Sequence, residues 1–335
     1  MDRTSFLRGK DKQGYPDNKR FIFTIFDDTD VSTLGNIRPV YDSLSELGIL
    51  TTKSVWPLRS EVMESDFAGS QTLEDEEYAE YIKELSGRGF EIAFHGASME
   101  SNPREKTLRS LEHFFSVLGY YPRTYACHAN NKENIYWGEE RFTFGIFKRL
   151  YTLLNPKDSS YFCGDKGGSP YYWGDICQQY IDYVRTFTYY SINMFDVSRK
   201  LPYSTKLRPF LKSCFYTCEA NNVEEFNELL CIKNQEKLER EGGVCIVTTH
   251  FGKGFVKNDS LHPVTKELLL GLSKRNGQFA PVCVVLDFLR SERGDDVINN
   301  FDLFKLELKW FFHLIKKRLK KKDYEKTELA YLMAK

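Results

Sequence analysis

Five side chains that can bind metal or move protons stand where apolar runs of the chain end. FIFTIF (21–26) runs into Asp27 and Asp28, FEIAF (90–94) into His95, TYAC (124–127) into His128, and VCIVTTH (244–250) ends on His250. Carboxylate and imidazole are zinc ligands. They are also the groups that most often act as general acid or base near neutral pH. Each position has a plainer reading, since Asp caps turns and a histidine can simply hydrogen-bond its own loop. Far-apart segments that end in the same chemistry favour a shared site. His113, inside an amphipathic run, His262, before Pro263, and His313, in the C-terminal tail, read instead as structural or solvated.

A shared site requires the apolar runs to be parallel strands, because active sites of parallel α/β folds form at the C-terminal ends of their strands. The chain alternates as such a fold should. Strands are expected at 21–26, 49–56, 90–94 and 124–127. Helices are expected at 36–47, 74–86 and 103–119, the last with Pro103 in its first turn and Gly119 as its stop. The stretch 140–240 is less regular: YVRTFTYY (183–190) and LKSCFYTC (211–218) read as strands and 223–241 as a helix. Then come a strand at 244–250, a helix at 263–275, and FAPVCVVLDFLR (279–290), read as a short strand with a helical turn. No linker rich in Pro, Gly or Ser divides the chain. The expected organisation is a polar segment over 1–20, one α/β unit over 21–298 and a helical tail over 299–335.

Composition narrows the function. The 47 basic and 47 acidic residues cancel, so no global field draws the chain to nucleic acid. The eight cysteines show no CxxC pair, and several lie in apolar runs, as buried thiols of a reducing compartment do. The first twenty residues lack the apolar run of a signal peptide, and no stretch has the length of a membrane span. A cytoplasmic location is the expectation.

The run TIFDD, the later FEIAFHGAS and the late VTTHFG occur in the order of the motifs of the polysaccharide deacetylase (NodB-homology) family, which this chain resembles over about residues 20–290. FAPVCVVLDFL is similar to that family's last stretch. The resemblance implies an irregular (β/α)7 barrel and metal-dependent removal of N- or O-acetyl groups from sugars. It makes Asp27 the general base, Asp28 and His95 metal ligands, and His250 the general acid. The match departs from the family at two points. Met99 stands where the second histidine of H-x-x-x-H belongs, and CHANNKENIYWG replaces the usual arginine motif. His128, ending the neighbouring strand, is the candidate for the missing ligand, and Arg185 in YVRTF the candidate to orient Asp27.

Zinc is the expected metal and an acetylated sugar or glycan precursor the expected substrate. Two loops rich in Asn, acids, Tyr and Trp could contact it, through Asn130, Asn131, Glu133, Tyr136 and Trp137 in one and Tyr172, Trp173 and Asp175 in the other. The alternatives are a metal-free C–N bond hydrolase on the same barrel and an inactive sugar-binding protein. The tail combines Leu303, Phe304, Leu306, Trp310, Phe311, Leu314 and Ile315 with a basic run from Lys316 to Lys322. It reads as a helix packed on the barrel, or else as an interfacial helix making peripheral contact with an anionic membrane.

Overall fold

The computed structural model describes residues 18–61, 69–155, 161–294 and 296–333, with side chains as far as Arg318. The N-terminal segment 1–17 lies outside them. Seven parallel strands close into a barrel: β1 (Phe21–Asp27), β2 (Thr52–Val55), β3 (Glu91–Phe94), β4 (Thr124–Tyr125), β5 (Tyr183–Tyr189), β6 (Ser213–Glu219) and β7 (Gly243–Thr249). Each pairs with the next, and β7 returns to pair with β1 along its whole length, Phe21↔Gly243 through Asp27↔Thr249. Every residue of β1, β6 and β7 is buried. Strands covered on both faces need such unbroken apolar sequence.

The barrel is irregular at one seam. β2 touches β1 only at the top, Phe26↔Thr52 and Asp27↔Lys53. Lower down, an eighth parallel strand, β10 (Gly277–Phe279), pairs with Phe21–Phe23. The apolar run VCVVLDFLR, expected as strand and turn, is helical (α9, Val282–Arg293), and the strand lies just before it. Short apolar runs do not distinguish a strand from a buried helix.

Helices α1 (Leu34–Glu46), α2 (Glu76–Gly87) and α3 (Arg104–Leu118) fill the first three crossovers. α1 starts on a capping box in which Thr33 and Asn36 satisfy each other's backbone groups. α4 (Gly145–Leu154) and α5 (Gly174–Tyr180) join β4 to β5, whereas β5 reaches β6 without an α-helix. The single helix expected at 223–241 breaks into α6 (Val223–Leu229) and α7 (Ile232–Glu241). After β7 come a small hairpin, β8 (Val256–Lys257) with β9 (Ser260–Leu261), and α8 (Pro263–Ser273).

The tail forms α10 (Asn300–Met333), which lies against β5 and α4. Leu303, Leu306 and Trp310 are buried in that contact. The buried Glu307 carboxylate accepts the backbone N–H groups of Thr143 and Phe144 at 2.6 and 3.2 Å, capping the start of α4 from outside. A membrane-facing stripe needs Trp310 exposed, and Trp310 is 1% exposed. The described part of the helix therefore turns its main aromatic inward, while side chains from Leu319 onward lie outside the described residues. No helix among the described residues is long and apolar enough to cross a membrane.

Candidate active site

Side chains of a strand alternate in direction, and this separates the three acids of Asp27-Asp28-Thr29-Asp30. Asp27, the last residue of β1, points away from the barrel mouth. Its carboxylate meets the Lys53 ammonium of β2 at 3.0 Å, both side chains fully buried. It also accepts Tyr41 O–H from α1 at 3.0 Å and Phe251 N–H at 2.8 Å. Burial pushes the Asp27 carboxyl up, with Lys53 pulling against it. Burial likewise opposes the Lys53 charge, and Asp27 overrides it. A raised acid and a raised ammonium make opposite demands on one proton. Three donors on one carboxylate decide for the ionised pair. Asp27 is absent from the wall of the mouth pocket. The sequence assigned it the base, but its lone pairs are spent on holding β1, β2 and α1 together.

Asp28 faces the mouth. Both its oxygens accept from Arg185 of β5 at 2.8 Å, a two-pronged pair. Arg185 therefore orients Asp28 and not Asp27 as the sequence suggested. Burial alone would raise the Asp28 carboxyl, but Arg185 and His95 outweigh it and hold it below the usual carboxylate value. The pairing of β5 with β6 slips between Arg185 and Thr188. Such a bulge re-aims side chains, and here Arg185, Thr186 and Thr188 all line the pocket.

The sequence reading passed over Asp30, yet three imidazoles gather on it. Nε2 of His95 and Nε2 of His250 each stand 3.3 Å from its carboxylate, and Nε2 of His128 stands 3.8 Å away. Lys253 approaches to 3.4 Å. Burial works against the Asp30 charge, but the hydrogen bonds from His250 and His95 hold its carboxyl far below the ordinary value. His128 is pulled down by burial, with Asp30 opposing. The cluster is braced from behind. Trp56 stands edge-on to His128 at 5.2 Å and at 5.7 Å to His95, and its Nε1 donates to the His95 carbonyl. Nδ1 of His250 bonds the Asn221 carbonyl at 2.9 Å.

The backbone around Asp30 is specialised. Val31 adopts φ +52°, which costs a β-branched residue energy and is kept where a site demands it. Gly252 follows His250 so closely against this turn that a Cβ there would lie 2.8 Å from the Asp30 carbonyl oxygen and 2.7 Å from Val31 backbone atoms. Gly96, after His95, takes φ +100°, open to glycine at no cost.

Two ligands of one tetrahedral zinc, each about 2.0–2.1 Å from it, lie about 3.3 Å apart. The Asp30–His95 separation matches this and the His128 separation is half an ångström longer, about what a small closure would take up. As placed, the side chains pair with one another. Among the described residues, no group of three or more His, Cys, Asp and Glu stands ready to hold a metal. The chemistry of the donors fits a zinc-like ion, and imidazoles stand near both carboxylates: His95 and His250 lie 3.3 Å from Asp30 and 3.7 and 3.9 Å from Asp28.

These groups open into a cavity of about 280 Å³. Its far wall comes from elements the sequence left out. Trp310, His313, Leu314 and Lys317 of α10 line it, with Trp137, Arg141 and Glu219. His313, expected to be structural or solvated, bonds Glu219 at 3.1 Å, and Lys317 bonds the other oxygen of that carboxylate. Burial would raise Glu219, and these two partners hold it well below its usual value. The spacing Leu306, Trp310, His313, Lys317 is one helical face. That stripe was legible, but which surface it covers was not.

Of the eight residues expected to touch substrate, Trp137 lines the cavity and the other seven do not. Asn131 and Glu133 are buried scaffold: Asn131 meets Nδ1 of His128 at 3.2 Å, and Glu133 binds Asn102 and Asn131. Burial pushes the Glu133 carboxyl up to about 7. Trp173 is buried and donates to the Glu133 carbonyl, and Tyr136 packs on Phe187. Tyr172 lies under Arg104, Asp175 pairs with Arg104 at the surface, and Asn130 is an exposed turn residue at φ +66°. Loops rich in aromatics and amides serve packing as often as recognition, and here packing took most of them.

No family model matches this chain, and no curated protein matches it. Among solved structures it is similar to the Puue allantoinase, at 12% identity and a TM-score of 0.46, covering 87% of this chain and 97% of that one. A probable polysaccharide deacetylase from Pseudomonas aeruginosa PAO1 gives 12% and 0.45, covering 87% and 98%. The peptidoglycan deacetylase PdaC from Bacillus subtilis gives 11% and 0.37, covering 83% and 94%. At this distance, fold and site are read from the chain's own geometry.

Proposed function

We propose that this chain is a metal-dependent hydrolase that removes an N- or O-acetyl group from a sugar. The observation that carries the reading is the gathering of His95, His128 and His250 on Asp30, beside the Asp28–Arg185 pair, at the C-terminal mouth of a parallel barrel. Asp30, His95 and His128 would hold the ion, with zinc the best fit to two imidazoles and a carboxylate. A bound ion would acidify water and polarise the acetyl carbonyl. Arg185 keeps Asp28 ionised and aimed into the pocket, so Asp28 takes the water proton. His250 has acceptors at both ring nitrogens, the Asn221 carbonyl and Asp30. A ring anchored through Nδ1 keeps Nε2 toward the cavity, which suits a donor to the leaving amine or hydroxyl. A cavity of about 280 Å³ is small for a ligand site and suits one sugar unit, free or at a chain end. Eight free thiols suit a cytoplasmic setting.

The specific observation behind a second reading, metal-free C–N hydrolysis, is that His95, His250 and Lys253 already stand within 3.4 Å of Asp30. Elemental analysis of protein purified without chelator separates the two. The metal reading expects close to one equivalent, lost with Asp30→Asn, and turnover of an acetylated sugar that falls about 10²-fold in His250→Ala. Hydrolysis that is unchanged after chelation, in protein free of metal, refutes it. Stoichiometric metal with sugar binding and no turnover points to an inactive sugar-binding protein.

A further inference from the structure

The cavity wall carries three permanent cations, and two of them are neutralised in place. Arg185 is paired with Asp28, and Lys317 with Glu219. The third, Arg141, has no carboxylate partner among the described residues. Its guanidinium carbon lies 3.7 Å from the centre of the Trp137 ring and 5.0 Å from that of Trp310. Its Nε reaches the Tyr136 carbonyl at 3.4 Å, and among the described residues its side chain makes no other hydrogen bond. The nearest acids in sequence are engaged elsewhere: Glu139 with Thr152, Glu140 with Lys148 and Lys166.

Flanking aromatic rings hold a guanidinium in position by cation–π attraction. They also strip water from its faces, leaving the N–H edge as its only outlet. That edge is a planar fork of donors that matches a carboxylate or phosphate with two parallel bonds. A guanidinium enclosed in this way and left without a counter-charge, on the wall of a small cavity, is a receptor waiting for an anion.

We propose that Arg141, between Trp137 and Trp310, binds an anionic group of the substrate, so that the sugar processed here is acidic, bearing a carboxylate or a phosphate. The word sugar rests on the hydrolase reading above, and the negative charge rests on Arg141 alone. The tail helix takes part in recognition, because Trp310 supplies one wall of the receptor.

Binding tests this without any need for turnover. Quenching of tryptophan fluorescence would be titrated with N-acetylglucosamine, N-acetylneuraminic acid and N-acetylglucosamine 6-phosphate, and separately with inorganic phosphate. At low salt the wild-type protein should bind one of the acidic sugars at least about tenfold more tightly than the neutral one, with the advantage shrinking as salt rises. The preferred member of the pair tells carboxylate from phosphate. Arg141→Met, close in length and uncharged, should erase the preference, and Arg141→Lys should keep part of it. Thermal melts confirm that each variant is folded. Equal binding of neutral and acidic sugars, or a preference that survives in Arg141→Met, overturns the proposal. Inorganic phosphate that binds through Arg141 while every sugar fails supports the anion receptor and sinks the sugar reading, so the two failures are distinguishable.

Discussion

Asp27→Asn separates a structural lock from a catalytic base. At 3.0 Å, and with an effective dielectric constant near 20, the Asp27–Lys53 attraction is about 5.5 kcal/mol before desolvation. Removing one member of such a pair leaves a buried ammonium uncompensated, at a typical net cost of about 3–5 kcal/mol. For 335 residues, at about 2.1 cal/mol/K per residue, the unfolding entropy is about 0.7 kcal/mol/K, so the melting temperature should fall by about 4–7 °C. Asp27→Asn with Lys53→Met removes both charges together. It should recover most of that loss, because an apolar replacement of a whole buried pair is often close to neutral. Thermal unfolding followed by circular dichroism reads the stability, and hydrolysis of an acetylated sugar reads the chemistry. A lock predicts that activity returns with stability in the double variant. A double variant that is stable and inactive would restore Asp27 as the base. A single variant melting within about 1 °C of wild type would refute the energetic argument itself.

Gly252→Ala forces a methyl group against the backbone of Asp30 and Val31, with contacts of 2.7–2.8 Å. It should cost about 1–3 kcal/mol of stability and lower metal content and activity with it, whereas Gly271→Ala, in α8, with no atom nearer than 3.8 Å to the added methyl, should do neither. Glu219 is depressed in the folded chain, so its contribution to stability is fully present above its ordinary value of 4.5 and is lost as pH falls from there toward its folded value. The stability gap between wild type and Glu219→Gln, measured by urea unfolding, should therefore be widest near pH 7 and close below pH 4.5. A gap that widens in acid would reverse the assignment.

The alternation of strands and helices was legible because buried parallel strands leave long apolar runs. His95, His128 and His250 were legible because such strands end at one mouth. The choice among three acids was not. Asp27, Asp28 and Asp30 lie within four residues, and only the pleat of β1 and the turn through Val31 decide which one faces Lys53, which faces Arg185 and which faces the imidazoles. Lys53 sits inside TTKSVW, where a buried lysine in a strand was the available hint that one acid is spent on a salt bridge. The partners of Asp28 and Asp30 lie between 65 and 223 residues away in sequence, and no local pattern encodes such pairings.

The tail helix shows how a segment distant from the chemistry enters the site. Glu307 of α10 caps α4, and the turn immediately before α4 carries Trp137 and Arg141. Three residues on, Trp310 stacks beside Arg141, and over the next two turns His313 and Lys317 secure Glu219 on the same wall. One helix thus fixes the far wall of the cavity, while the barrel alone supplies Asp28, Asp30 and the three histidines. The two contributions differ in kind. On the proposed reading the barrel's residues would move protons and hold metal, and the helix's would shape the wall that meets substrate. A barrel mouth of this construction can keep its reaction while its substrate changes, since substitutions along Trp310, His313 and Lys317 alter the wall without touching the cluster around Asp30.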